Sequence, residues 1–104
     1  MYATLRIYEM SEDWDDVLVR HIEEGFVPRI ESLPGFVSYQ CVEAGPRVFA
    51  SVTVFTDRTG AEASDKAAAS YVLRHLADRF PSPPEITAGE VRAGRVLDGR
   101  VPVG

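Results

Sequence analysis

A chain of 104 residues has room for one domain with a modest core and not for two. Its residues are 45% hydrophobic and 26% charged, with no low-complexity tract, which excludes a disordered chain, and no stretch reaches the roughly 18 apolar residues of a membrane helix. The 16 acidic and 11 basic residues, net charge −5, are scattered along the chain, which argues against nucleic acid or a membrane surface as partner. The start, MYATLRIYEM, alternates rather than offering a basic and then apolar leader, so a cytoplasmic protein is expected.

Residues 2–10 place Ala3, Leu5 and Ile7 on one face and Tyr2, Thr4, Arg6 and Tyr8 on the other, the period of a strand. Ser11 offers a hydroxyl cap, and Glu12, Asp13, Asp15 and Asp16 crowd acidic charge where a helix dipole favours it, so a helix is expected from about residue 12. Leu18, Ile22, Phe26, Ile30 and Leu33 form its apolar stripe. Gly25 and Pro28 weaken this helix from within. Pro28 has no amide for the carbonyl of Glu24 and its ring crowds that carbonyl, so a bend or bulge is expected between the two residues. Pro34 and Gly35 then end the helix.

Residues 36–43 and 47–56 read as strands joined in a hairpin through Ala44-Gly45-Pro46. From residue 57 to 80 the helical period returns, with Ala61, Asp65, Ala68, Ala69, Val72, Leu76 and Phe80 on one face. Pro81 to Pro84 end this helix, residues 85–96 form a fourth strand weakened by Gly89 and Gly94, and residues 98–104 read as a tail beyond a domain of residues 1–97. The order βαββαβ predicts a ferredoxin-like α+β sandwich, with an antiparallel sheet and both helices on one face. The second and third strands carry apolar groups on both parities, and two helices cover one sheet face only. The other face is expected to pack on a second copy, giving a homodimer.

Several residues carry potential chemistry. Asp65 falls within the apolar face of the second helix, where a carboxylate needs a partner or a wet cavity. His21 and His75 sit at the edges of the two helical stripes, as bases or ligands, or as boundary residues. Tyr39 shares a strand face with Cys41, and either hydrogen-bonds a phenol or quinone in a cavity or simply packs. Cys41 stands alone, without a neighbouring base to lower its pKa, so neither a disulfide nor a thiolate metal cluster is available to one chain. There is no metal-ligand spacing and no nucleotide or flavin motif, so no cofactor is expected. Oxygen chemistry would then draw its electrons from the substrate itself.

The length, the βαββαβ order, the run FVPRIESLPGFVSY closing the first helix, and a third strand that carries Phe55 near its end and runs into VFTDRTGAEAS together resemble the dimeric α/β-barrel superfamily. Within it, the chain looks most like the antibiotic-biosynthesis-monooxygenase-like domains. The resemblance covers nearly the whole chain and implies a dimeric α/β barrel with a substrate cavity between helices and sheet. It implies a cofactor-independent monooxygenase acting on an aromatic or polyketide-like small molecule; on this chain the candidate catalytic residues are then Asp65 and His75, and the candidates for substrate binding His21, Tyr39, Phe55 and Val72. The alternative is a non-catalytic small-molecule binding or regulatory domain of the same fold; haem degradation is the third reading. Monooxygenases of this type use tryptophan, asparagine and arginine in the cavity, whereas this chain has no asparagine and its one tryptophan, Trp14, stands at the start of the first helix. Of the asparagine, tryptophan and histidine of the haem-degrading branch, His75 alone has a counterpart.

Overall fold

The computed structural model describes residues 1–95, and its elements run β1 (Tyr2–Glu9), α1 (Asp16–His21), a π-helical segment (Ile22–Phe26), α2 (Val27–Glu31), β2 (Phe36–Gly45), β3 (Val48–Phe55), α3 (Arg58–His75) and β4 (Glu85–Glu90). The four strands form one antiparallel sheet in the order β2-β3-β1-β4. This is the ferredoxin-like α+β sandwich expected from the element order. The tail at residues 98–104 and the boundary at residue 97 lie outside the described residues.

The two parities of β1 part as expected, but their environments are the reverse of a simple polarity rule. Thr4, Arg6 and Tyr8 are buried beneath the helices, while Leu5 and Ile7 on the other face are 45% and 46% exposed. In β3, Phe49, Ser51, Thr53 and Phe55 are buried on the helical side, opposite β1 residues of the same face, as in the Thr4–Thr53 pair.

Three element boundaries differ from expectation by more than two residues, and β2 runs on to Gly45, so that the hairpin turns at Pro46 and Arg47. The first helix begins at Asp16 because Asp15, not Ser11, is its cap: the Asp15 carboxylate accepts the Leu18 amide at 2.8 Å. Ser11 instead donates to the carbonyl of Asp78 at 2.6 Å, and Trp14, ahead of the helix, stacks on Phe49 with ring centroids 5.1 Å apart. The second long helix ends at His75, after which Leu76 and Phe80 still turn into the core. Strand β4 stops at Glu90 rather than reaching residue 96: its partner β1 begins at Tyr2, opposite Glu90, and beyond that pair the Val91 amide donates to the Met1 carbonyl at 2.8 Å, where β1 runs out.

The expected bulge is a π segment. The Val27 amide reaches back to the carbonyl of Ile22, and Pro28, which has no amide to give, falls in the first turn of α2. The wide turn also serves the stripe. Leu18, Ile22, Phe26 and Ile30 are spaced strictly by four, which in an unbroken α-helix would drift about 40° per step, yet all four are buried. The buried face of α3 is Gly60, Ala61, Ser64, Ala68 and Tyr71, rotated from the expected one, so that Asp65 and Val72 are half-buried and Ala69 is exposed.

Candidate functional site

Arg6 stands in the middle of β1 on the helix-covered face, with 4% of its side chain exposed. A buried guanidinium needs an anion, and its NH2 group donates to the Asp65 carboxylate about two turns into α3. Burial pushes the Asp65 carboxyl above the usual value of 3.8, against the downward pull of Arg6. The Tyr8 phenol, next on the same strand face, is likewise pushed up by burial.

This pair forms part of the wall of a groove of about 490 Å³ between α3, β4 and the segment from Pro81 to Pro84. Tyr8, Val72, Leu73, Phe80 and Ile86 supply much of the remaining wall. A space of several hundred Å³, largely apolar and with a few convergent polar groups, is what a small-molecule site requires. The expected cavity between helices and sheet is, in contrast, nearly filled: Tyr8, Phe26, Tyr39, Phe49, Tyr71 and Phe80 close it to about 20 Å³. Tyr39 packs edge-on against Phe26 at 5.5 Å between centroids, and burial pushes its phenol far above the ordinary tyrosine range.

A second cluster lies at the π segment. The Tyr71 hydroxyl is 2.5 Å from His21 Nδ1 and donates to the His21 carbonyl at 3.1 Å. The His75 ring lies 4.7 Å from that of Tyr71 and 6.0 Å from that of His21, and the Arg29 guanidinium sits 5.1 Å over the Tyr71 ring. Burial raises the Tyr71 phenol, with Arg29 pulling the other way.

The structure therefore brings Asp65 and Val72 together at the groove and His21 and His75 together at Tyr71, and sets Tyr39 in the interior. Phe55, fully buried, packs edge-on against Phe36 and lines neither the groove nor the interior cavity. Burial raises the Cys41 thiol further, with Glu23 adding to it, as suits a packing residue. Among the described residues, no group of three or more His, Cys, Asp or Glu side chains is arranged to hold a metal ion. No described helix is long and apolar enough to cross a membrane.

Sequence reasoning missed Arg6 and Tyr71. A usable signal existed for the first: Arg6 is the one basic residue within the four strands, and the carboxylate on the apolar face of α3 called for a cation.

No family model matches the sequence, and no curated protein matches it either. Solved structures do match. A protein of unknown function from Nitrosomonas europaea superposes with a TM-score of 0.73 at 20% identity, over 99% of this chain and 95% of its own. HapK from Hahella chejuensis gives 0.69 at 16%, over 93% and 99%. The ActVA-Orf6 monooxygenase of Streptomyces coelicolor, solved with nanaomycin D, gives 0.68 at 14%, over 93% and 92%.

Proposed function

We propose, from the fold that this chain shares with antibiotic-biosynthesis-monooxygenase-like members of the dimeric α/β-barrel superfamily, that it is a cofactor-independent oxygenase of an aromatic or polyketide-like small molecule. The observation that carries this reading is the pairing of buried Arg6 with half-buried Asp65 in the wall of an apolar groove. The raised carboxyl of Asp65 suits it to take a proton from an acidic C–H or phenol. Once protonated, Asp65 no longer neutralises Arg6, whose charge passes to the substrate anion. The net charge of the site is unchanged throughout.

That anion is the reductant. For an anthrone-type methylene, two C–H bonds break, one atom of dioxygen becomes the new carbonyl oxygen, and the other leaves as water with both hydrogens. The four electrons come from the substrate, so the balance needs no further reductant. His21, His75 and Tyr71 stand behind the π segment and act, in this reading, on the position of that segment. The exposed apolar face of the sheet, with Leu5, Ile7 and Val42, packs on a second copy to form the barrel.

A second reading, binding without turnover, draws on the nearly filled interior. Oxygen uptake with a panel of anthrones and hydroquinones, without added metal or flavin, separates the two. The oxygenase reading expects turnover that falls about 10²-fold or more in Asp65→Asn. Saturable binding with no oxygen uptake assigns the second reading instead. A haem titration without a Soret shift removes haem degradation.

A further inference from the structure

We propose that the small cavity under Ala68 is a dioxygen site, an inference that rests on the oxygenase reading above. Its volume of about 20 Å³ is a little more than one water-sized guest requires. An aromatic ring is excluded, and a diatomic gas fits. Most of the wall is carbon, from Ile22, Phe26, Phe49, Ala68, Val72 and Leu76. A buried water needs two to four polar partners, and apolar cavities stay dry and accept apolar guests. The lining also includes Arg6, Tyr8, Tyr39, Ser51 and Tyr71; of these the Arg6 guanidinium is engaged by Asp65 and the Tyr71 hydroxyl by His21.

Position adds to size. Arg6, Tyr8, Val72 and Phe80 line both this cavity and the groove, so a gas molecule inside is separated from a ligand in the groove by single side chains. Arg6 then serves both partners. The substrate anion in the groove passes one electron to dioxygen, and the guanidinium between the two spaces stabilises the superoxide charge that appears. Superoxide then passes between the shared side chains into the groove, where recombination of the radical pair forms the C–O bond.

The test uses dioxygen itself. Methyl resonances of the full chain are compared under dioxygen and under argon at equal pressure, since dioxygen is paramagnetic and broadens nuclei near its binding site. Selective broadening of the methyls of Ile22, Ala68 and Leu76, against the buried Leu18 and Ile30 as references, is the expected result. Broadening no greater than at Leu18 and Ile30, or a water signal in the cavity, overturns the site. Ala68→Val, which adds carbon to the wall, is expected to abolish the selectivity and, with a substrate that is turned over, to raise KM for dioxygen about tenfold while leaving KM for the organic substrate unchanged. Should that variant not fold, the wild-type comparison decides. Selective broadening without turnover of any anthrone keeps the gas site and removes the oxygenase reading; turnover with uniform broadening does the opposite.

Discussion

Gly25 and Tyr71 are fitted to each other: a β-carbon on Gly25 would lie 2.1 Å from the Tyr71 hydroxyl oxygen. The glycine in the π segment is there for the tyrosine across from it. Gly25→Ala is therefore expected to destabilise the protein by about 1–3 kcal/mol, the usual cost of overpacking a filled site. In a Tyr71→Phe background, which removes the clashing oxygen, the same change is expected to cost less than about 1 kcal/mol. Urea unfolding of the four proteins of this cycle measures the difference, and equal costs in both backgrounds would exclude the fit as the reason for the glycine.

Asp65→Asn is expected to fold and to change stability at neutral pH by less than about 1 kcal/mol, because the cost of desolvating the carboxylate, which remains 40% exposed, offsets the attraction of Arg6. The pH dependence carries a sign. A carboxyl raised above 3.8 in the folded state gives stability that is fully present below 3.8 and lost as pH rises through the folded value. The stability of wild type minus that of Asp65→Asn should fall with rising pH in that window and then stay flat. A difference that rises instead would show that the attraction of Arg6 outweighs burial.

The elements and their order were legible because each follows from a period, two for the strands and near 3.6 for the helices. Pro28 announced the bulge through its missing amide. The site was less legible. Arg6 sits on the polar parity of β1, which reads as the solvent face, whereas in the folded chain that parity faces the helices and Leu5 and Ile7 face outward. Tyr71 escaped notice because the apolar face of α3 was centred on Asp65 and Val72, while packing on a twisted sheet turned Ser64, Ala68 and Tyr71 inward. The start of α1 was open to error since Ser11 and Asp15 are both good caps, and local sequence does not choose between them.

Two copies are expected to associate through the outer sheet face. Light scattering on a sizing column should give about twice 11.5 kDa at micromolar concentration. A lysine at Leu5 or Ile7 is buried twice in a two-fold interface and should yield monomer with an unchanged circular dichroism spectrum. Wild type eluting as a stable monomer would end the barrel proposal.

Asp15 joins two distant segments, accepting the Leu18 amide at 2.8 Å and the Arg79 guanidinium at 2.6 Å. The Arg79 bond chiefly, and the Leu18 bond next, hold its carboxyl below 3.8. Its contribution to stability is thus present above 3.8 and lost as pH falls through the folded value. In Arg79→Met the Asp15 carboxyl should titrate closer to 3.8, as read by side-chain carbon shifts. An unmoved titration would reassign its low value to the cap alone.

A π segment accommodates one more residue than α geometry would at the same place. Against a relative with an unbroken α-helix at this place, a one-residue gap would fall between Ile22 and Phe26, and pairing residues straight through would set Leu18 or Ile30 against the wrong counterpart. Removal of one residue there would turn the two half-helices relative to each other by about 100° if the segment stayed wide, and by much less if it reverted to α. A single-residue deletion in the first helix should therefore be tolerated best at the π segment.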